Sequence, residues 1–409
     1  MDAFLDFLTK TILGRNNGRN DYMDMVLRKA PHVALGATAL YLSAVGLLSV
    51  PYIQKQALYC NGIRRPRLGA YERPEKYGLA PSKTLNVQLP TPDGQTLGAW
   101  FILSDAYYHS ILKHDWEIDL RQALSSLPTI LYLHDAGASR SAKPCVAQCS
   151  MFSARLSANV FAVDYRGFGD STGAPSEEGL ATDARAAWEW LLRNGANPAD
   201  VVIVGQALGS SVAARLGAEI EESGLRPRGI VLLSPFSSVK DAARSVGLHG
   251  SVPFLKPLNL IPKATDLLLK RVKPSFDTLA YASTIKIADI LIAHSEDDPE
   301  IPLTHSESLF HAFLAPLLPP EVTLPSNPGS LSKDDWDKFT HDVTARRQAE
   351  KNLVITNEIR DFGVTSELVD PDNGDRRVML VKTLAGGHDA VGLQEGVQDV
   401  MGKFFGFLP

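Results

Sequence analysis

A strand-to-helix turn framed by two glycines constrains the fold of this chain more strongly than any other part of its sequence. Residues 201–209 read VVIVGQALG, so an apolar run typical of a buried strand leads into Gly205 and Gly209. Glycines at these positions allow a strand and the next helix to pack closely around a strained central residue. That central residue is Ala207, and a helical pattern follows over 210–222. The string therefore predicts a tight turn at the end of a buried strand.

Strand and helix patterns alternate around this turn. Two β-type runs, 84–89 and 96–103, are joined across Pro-Asp-Gly, which predicts a hairpin. Short apolar runs predict further strands at 129–133, 158–163, 201–204, 230–233, 290–293 and 377–382. Helical spacing predicts helices at 177–192, 210–222 and 392–407. Continuous apolar strands separated by helices predict the α/β class, with a mostly parallel sheet covered on both faces.

Two stretches interrupt this alternation within a predicted domain that spans residues 83–409. Residues about 240–285 place prolines among apolar residues, and we interpret them as a helical cap. Residues about 316–375 are polar and begin with a proline-rich segment. They continue into a charged run over 333–351 with helical character, and we interpret the whole stretch as a surface insertion.

An uncharged segment precedes this domain. Residues 33–53 read VALGATALYLSAVGLLSVPYI, and a bilayer core needs about 20 apolar residues as helix. Lysines and arginines bracket the segment, which favours a transmembrane helix over a buried core helix. The segment starts too late and is too long for the apolar region of a signal peptide. We therefore expect a tail at 1–32, a single membrane span at 33–53 and a linker at 54–82.

The charges around this segment do not orient it. Arg15, Arg19, Arg28 and Lys29 on one side of it are balanced by Lys55, Arg64, Arg65 and Arg67 on the other. The chain has no Asn-x-Ser/Thr sequon, which argues weakly against a glycosylated lumenal domain. Apolar residues within 1–13 share one broad face, so this stretch is either an interfacial amphipathic helix or a flexible tail.

Composition argues against several functional classes. Lysine and arginine total 41 against 46 aspartate and glutamate, a net charge of −5, so no basic excess supports nucleic-acid binding. Three cysteines, Cys60, Cys145 and Cys149, are too few for a disulfide framework and are interpreted as ordinary thiols. The sequence has neither a metal-ligand cluster nor a phosphate-binding fingerprint, so we expect no cofactor.

Polar residues follow several of the predicted strands. Residues 134–137, HDAG, come after the strand at 129–133, where a backbone amide of Asp135 or Ala136 could bind an oxyanion together with that of Leu208. Asp298 follows the strand at 290–293, and His388 follows the last strand in a Gly-Gly-His loop. The chain order of turn, acid and histidine is the order of a nucleophile elbow followed by its two triad partners.

These motifs together resemble one family. They are HDAG at 134–137, DYRGFGDS at 164–171, PSEEG at 175–179, GQALG at 205–209, SPF at 234–236 and HSEDDP at 294–299. The set is similar to the membrane-anchored α/β-hydrolase-domain lipases that act on monoacylglycerols and lysophosphatidylserine. The resemblance covers roughly residues 85–310 and resumes at the final strand and helix. It implies an α/β-hydrolase fold, a lipid or other long-chain ester as ligand, and a single-pass protein of the endoplasmic reticulum or another endomembrane.

The resemblance also implies roles for individual residues. Ala207 stands at the position of the nucleophilic serine, Asp298 matches the triad acid with Asp297 as the alternative, and His388 matches the triad base. Asp135 departs from the family pattern, which has glycine there. His134, Asp164 and Arg166 are expected to be structural. Ser210 and Ser211 are expected to point away from the turn and not to replace the nucleophile.

Ala207 leaves three explanations open. The residue is a deliberate Ser→Ala replacement made to trap a substrate, a natural change in a pseudoenzyme, or part of a site whose chemistry uses His388 and needs no serine. Loss of a triad serine leaves only about 10³ to 10⁴-fold acceleration over water. We therefore expect ester hydrolysis to be lost or strongly reduced, with lipid binding or regulation as the alternative function. Protein partners are not predicted.

Overall fold

The structure is a computed structural model that describes residues 17–47, 49–62, 69–112, 118–245, 247–248, 252–253, 257–258, 262–273, 275–324, 327, 329, 332–369 and 376–408. The chain divides into two compact units, Met1–Gln54 and Lys55–Pro409. The expected amphipathic character of residues 1–13 lies outside the described residues.

The N-terminal region forms helices α1, Asn17–Leu47, and α2, Pro51–Tyr59. Residues 33–53, which the sequence analysis expects to form a single membrane span, are divided between these two helices. Pro51 explains the break, because proline lacks an amide hydrogen and disfavours helical backbone before it. In the described chain no single helix is long and apolar enough to cross a membrane. The bent pair Leu35–Leu47 and Pro51–Tyr59, at 89°, satisfies the length and composition criteria only when taken together.

A ten-stranded sheet forms the centre of the second unit. The strands are β1 Thr84–Pro90, β2 Thr96–Ile102, β3 Thr129–Leu133, β4 Asn159–Val163, β5 Val201–Gln206, β6 Gly229–Leu233, β9 Ile290–Ser295, β10 Val354–Ile359, β11 Gly363–Val369 and β12 Arg377–Thr383. Their order is β1-β2-β4-β3-β5-β6-β9-β12-β11-β10. The six strands from β4 to β12 run parallel, and the antiparallel hairpins β1–β2 and β10–β11 flank them. The predicted α/β class is confirmed.

Helices cover both faces of this sheet. They are α3 Asp105–Ile111, α4 Leu120–Ser126, α5 Lys143–Arg155, α6 Glu177–Arg193, α7 Leu208–Glu222, α8 Val239–Ser245, α9 Ala264–Leu269, α10 Thr278–Thr284, α11 Thr304–Leu314, α12 Lys333–Leu353 and α13 Glu395–Phe404. Along β3, Ile130 and Tyr132 belong to one buried cluster, and Leu131 and Leu133 belong to the other. Both faces of the strand are therefore buried, which explains why residues 130–133 show no alternation of apolar and polar side chains.

The sequence analysis expects a linker at residues 54–82. From Lys55 onward, the described residues of this stretch belong to the second unit. Tyr59 is fully buried, and its carbonyl accepts a hydrogen bond from the amide of Gly137 at 2.8 Å. The Trp100 indole donates to the carbonyl of Tyr71 at 2.8 Å. These two hydrogen bonds join described residues of the stretch to the rest of the second unit.

The two stretches interpreted as a cap and as a surface insertion contain strands that the sequence analysis does not predict. In the first stretch, the described helices α8, α9 and α10 accompany a short antiparallel pair, β7 Gly247–Leu248 and β8 Val252–Pro253. The second stretch contains α12, which begins with a capping box between Ser332 and Asp335, and then β10 and β11. The residues of β10 are mostly exposed, so its sequence lacks the apolar pattern of a core strand.

Candidate active site

The parallel strands bring the predicted site residues to one edge of the sheet. β3, β5, β9 and β12 end there, and each is followed by one part of the site. These parts are the 134–137 loop, Ala207, Asp298 and His388. In α/β sheets, ligands bind outside the carboxyl ends of the strands, which is where this edge lies.

The turn between β5 and α7 keeps the geometry of a nucleophile elbow. Ala207 has φ 45° and ψ −106°, a conformation that costs an L-residue about 1–3 kcal/mol. A Cβ on Gly205 would lie 2.2 Å from the carbonyl oxygen of Gly209, and one on Gly209 would lie 2.1 Å from that of Leu133. Both glycines are therefore required by close backbone approach, as the sequence pattern predicted.

An acid and a histidine pair beside this turn. Nδ1 of His388 donates to Oδ2 of Asp298 at 2.8 Å, and both side chains are almost completely buried. Nε2 of His294 lies 3.1 Å from the same oxygen, and the amides of Glu300 and Ile301 donate to Oδ1. Burial alone would raise the pKa of Asp298. The hydrogen bonds from His294 and His388 outweigh burial and hold the pKa well below its usual range.

Asp297, the alternative acid, has a different set of partners. Its Oδ1 accepts hydrogen bonds from the Ser295 hydroxyl at 2.5 Å and from the amide of Gly387 at 2.7 Å. These bonds lower the pKa of Asp297 and fix the Gly-Gly-His loop. Of the two neighbouring aspartates, Asp298 is the one whose carboxylate contacts the imidazole of His388.

Two further side chains hold the backbone of His388, and the sequence analysis did not identify them. Nε2 of Gln206 and the Ser234 hydroxyl donate to the carbonyl of His388 at 2.9 and 3.0 Å. Gln206 comes directly before Ala207 in the elbow, so the turn and the histidine loop are joined. Gln206 and His388 are 182 positions apart in the chain, so no sequence spacing predicts their contact, and only the fold brings them together.

The Asp135 carboxylate lies between two of the backbone amides that the sequence analysis expects to bind an oxyanion. Its Oδ1 accepts hydrogen bonds from the amides of Ala136 at 2.5 Å and Leu208 at 3.1 Å. Its Oδ2 lies 3.9 Å from Nε2 of His388. The two amides that were expected to bind a substrate oxygen are therefore directed at an oxygen of the protein itself.

Burial and mutual attraction shift the pKa values of this pair. Desolvation raises the pKa of Asp135 to about 6, against the charge of His388 and the two amide hydrogen bonds, which lower it. Burial lowers the pKa of His388, but the hydrogen bond to Asp298 and the charges of Asp135 and Asp298 raise it to about 9. At pH 7 the site therefore holds an imidazolium between two carboxylates.

Comparison with known proteins agrees with this architecture. A family profile described as alpha/beta hydrolase fold matches residues 130–304. The chain is 32% identical over 307 residues to the lysophosphatidylserine lipase ABHD12 of Bos taurus, covering 74% of this chain and 72% of that protein. The chain belongs to the ABHD12 family.

Two further proteins extend the comparison. Protein ABHD12B of Homo sapiens is 32% identical over 309 residues, covering 71% of this chain and 80% of that protein. A solved alpha-beta hydrolase from Vibrio vulnificus has a TM-score of 0.52 at 17% identity, covering 86% of this chain and 92% of that chain, and shows the same fold.

A cavity of about 570 Å³ opens beside Asp135 in this ABHD12-family chain. Its walls include Tyr77, Tyr132, Asp135, Ala142, Gln148 and Gln206. Among the described residues, Nε2 of Gln148 and Oε1 of Gln206 have no hydrogen-bond partner although both side chains are buried. The described residues that form the walls do not include Ala207 or His388. Asp135 is therefore a residue that the cavity wall and the candidate site share.

The residues expected to be structural support the 134–137 loop. Nδ1 of His134 donates to the carbonyl of Asp135 at 2.7 Å, and Nε2 lies 3.6 Å from Oδ1 of Asp164. Burial lowers the pKa of His134, which favours the neutral ring. Asp164 forms a buried ion pair with Arg140, whose guanidinium lies 4.5 Å from the centre of the Tyr71 ring.

Arg166 and the two serines after the elbow lie apart from the acid–histidine pair. Arg166 binds the carboxylates of Asp183 and Asp93. The hydroxyl of Ser210 donates to the carbonyls of Gly205 and Leu233 at 2.8 and 3.1 Å, within the core. Ser211 is also buried within α7. These contacts agree with the expectation that neither serine replaces the nucleophile.

Replacement of Asp135 with asparagine is expected to lower the pKa of His388 below about 9. The charge of Asp135 favours the imidazolium, so its removal favours the neutral ring. A pH titration of the His388 ring by NMR measures the shift. Asp361→Asn is the matched control, because Asp361 is exposed in the turn between β10 and β11. An unchanged titration in Asp135→Asn would show that the two side chains are not electrostatically coupled.

Proposed function

We propose that this ABHD12-family chain binds a long-chain lipid ester and does not hydrolyse it through a serine nucleophile. The observation that carries the proposal is the strained elbow with Ala207 at its centre beside the intact Asp298–His388 pair. An acyl-enzyme cannot form on a methyl group. Because the acid and the base are retained, we infer that the chain descends from a catalytic ancestor.

Asp135 adds a second obstacle to ester hydrolysis. A tetrahedral intermediate needs backbone amides aimed at its oxyanion, and both candidate amides already donate to Oδ1 of Asp135. A carboxylate at that position also repels a developing negative charge. We therefore propose that Leu208 and Ala136 are the remnants of an oxyanion hole that the chain now fills itself.

A lysophospholipid or monoacylglycerol is the ligand class that we propose. The bovine relative carries the name lysophosphatidylserine lipase. The cavity of about 570 Å³ is within the range of small-molecule sites and combines apolar walls with the unpaired amide groups of Gln148 and Gln206. Those groups could bind the polar part of such a lipid.

Attachment to a membrane through the N-terminal region belongs to the same proposal. Val33, Leu35 and Leu40 on α1 are 68%, 71% and 74% exposed, which is unusual for large apolar side chains on a surface bathed by water. The bent helix pair at Leu35–Leu47 and Pro51–Tyr59 supplies the apolar length. We propose that these side chains face lipid.

A binding experiment with the full chain in detergent tests the proposal. We expect saturable binding of fluorescent lysophosphatidylserine and no release of fatty acid above the protein-free rate. Ala142→Trp should weaken binding about tenfold or more, or about 1.4 kcal/mol, because its indole would fill the cavity. Ala147→Trp is the matched control, since Ala147 lies on the exposed face of α5, the helix that begins directly after Ala142.

Two outcomes would contradict the proposal. Fatty acid release by the unaltered chain that disappears in His388→Ala would show serine-independent ester hydrolysis. Equal binding by Ala142→Trp and Ala147→Trp would place the lipid outside this cavity.

A second candidate function, chemistry that uses His388 without a serine, is favoured by the position of Asp135.

A further inference from the structure

Asp135 has the two features of a carboxylate nucleophile. Its Oδ1 is fixed by the amides of Ala136 and Leu208, which come from two different elements of the fold. Its Oδ2 accepts no hydrogen bond from the described residues and lies 3.9 Å from Nε2 of His388. One oxygen is thus anchored and the other is available, beside a histidine that is itself oriented by Asp298.

The amides of Ala136 and Leu208 already donate to Oδ1 of Asp135, and this limits the kind of electrophile that the carboxylate could attack. An ester needs a vacant pair of donors for the oxygen of its own carbonyl, and here they are taken. A saturated carbon needs no such donors, because its leaving group departs without forming an oxyanion at the attacked centre. After alkylation, the same two amides would polarise the carbonyl of the new Asp135 ester, which is the group that water must then attack.

We propose that this chain hydrolyses an epoxide to a diol through a covalent ester on Asp135. The activity goes beyond ester binding and does not depend on it. In the first step, Oδ2 of Asp135 forms a bond to one epoxide carbon, and the bond from that carbon to the epoxide oxygen breaks. The electron pair of the broken bond goes to the epoxide oxygen, which takes a proton from the His388 imidazolium.

The second step regenerates the carboxylate. Neutral His388 takes a proton from water as the water oxygen adds to Cγ of Asp135, and the negative charge on Oδ1 is stabilised by the amides of Ala136 and Leu208. The intermediate then expels the diol oxygen, which was Oδ2, and that oxygen receives the proton held by His388. The new Asp135 carboxyl group gives its own proton to His388, so epoxide and water are consumed and diol is formed.

The surroundings of Asp135 fit this chemistry. The cavity of about 570 Å³ is lined by Asp135 together with Tyr77 and Tyr132, so an uncharged substrate bound there would lie beside the Asp135 carboxylate. The pKa of His388 is raised to about 9 by Asp298 and Asp135 against the effect of burial, so the acid needed in the first step is present at pH 7. An epoxide is favoured over an alkyl halide because its oxygen uses this proton.

Single-turnover hydrolysis of styrene oxide and 1,2-epoxyoctane in ¹⁸O-labelled water tests the proposal. With protein in excess, we expect diol without the label and a gain of about 2 Da in the peptide that contains Asp135, because water supplies an oxygen to the carboxylate. Diol that carries the label, with an unlabelled Asp135 peptide, would mean direct attack by water and would overturn the proposal. Absence of diol above the buffer rate with both epoxides would also overturn it.

Variants separate the two steps. Asp135→Asn should form no diol above the buffer rate, whereas Asp361→Asn, an exposed matched control, should retain the full rate. His388→Gln should be labelled at Asp135 by 2-bromoacetophenone, because bromide leaves without a proton. The label should persist about 10² to 10⁴ times longer than in the unaltered chain, since the general base is missing.

The labelling experiment keeps the proposal testable if Asp135→Asn does not fold. Mass spectrometry of the unaltered chain and of His388→Gln locates the ester directly. An adduct on Asp135 in His388→Gln supports the proposal, and labelling of Cys60 or other side chains without Asp135 counts against it. Lipid binding is measured separately with Ala142→Trp, so failure of one proposal does not imply failure of the other.

Discussion

The combined replacement of Ala207 with serine and Asp135 with glycine is expected to produce much faster ester hydrolysis than either single replacement. Ala207→Ser supplies the missing nucleophile next to the Asp298–His388 pair. Asp135→Gly vacates the amides of Ala136 and Leu208, which then can bind the oxyanion. Because removal of one oxyanion donor typically costs about 10² to 10³-fold in rate, we expect Ala207→Ser alone to be slower than the double variant by at least that factor.

The measurement is kcat/KM for p-nitrophenyl butyrate and a monoacylglycerol, with all variants in the same detergent. Asp135→Gly alone should remain at the background rate, because it has no nucleophile. His388→Ala in the double variant should return the rate to background, and labelling by a fluorophosphonate should follow the same pattern. If Ala207→Ser alone is as fast as the double variant, the Asp135 carboxylate does not obstruct the oxyanion hole.

Replacement of Gly205 or Gly209 with alanine is expected to destabilise the domain by about 3 kcal/mol or more, at the upper end of the cost of overpacking. The added methyl group would lie 2.2 Å from the carbonyl oxygen of Gly209 or 2.1 Å from that of Leu133. These are backbone atoms between the sheet and α7, so they cannot rotate away as a side chain can. For a domain of this size we expect the melting temperature to fall by at least about 4 °C.

Gly224→Ala is the matched control for this experiment. Gly224 has φ +77°, and a methyl group there would meet no atom within 4 Å. The change therefore carries the conformational cost of alanine in the left-handed region, about 1–2 kcal/mol, without a clash. A fall in melting temperature for Gly205→Ala no larger than that for Gly224→Ala would show that the elbow relaxes around the added group.

The elbow and the acid–histidine pair were predictable because each depends on a local signal. Gly205 and Gly209 after an apolar strand indicate a turn in which both glycines are needed, and Asp298 and His388 each follow the end of a strand. Parallel strands bring such positions to one edge of the sheet whatever the length of chain between them. The site residues can therefore be predicted to lie together without knowledge of the strand register.

The position of the Asp135 side chain could not be predicted from the sequence. The sequence identifies its loop and its departure from glycine, but the direction of its side chain depends on the adjacency of β3 and β5. The hydrogen bond from the amide of Leu208 joins residues 73 positions apart. The hairpin β10–β11 was missed for another reason, since an exposed edge strand does not need an alternating apolar pattern.

The burial of Tyr59 sets a limit on where this protein can be cut. Its carbonyl accepts the amide of Gly137, and the side chain of Asn61 donates to the carbonyl of Gly167 at 3.3 Å. Cleavage before residue 55 would release a domain that retains both bonds. Cleavage after residue 62 would remove the hydrogen bond between Tyr59 and the loop that carries Asp135. It would also expose the buried ring of Phe276, whose centre lies 6.1 Å from that of Tyr59. A fragment that begins at β1 would therefore lack contacts that hold the loop of Asp135, and it would not reproduce the site of the full chain.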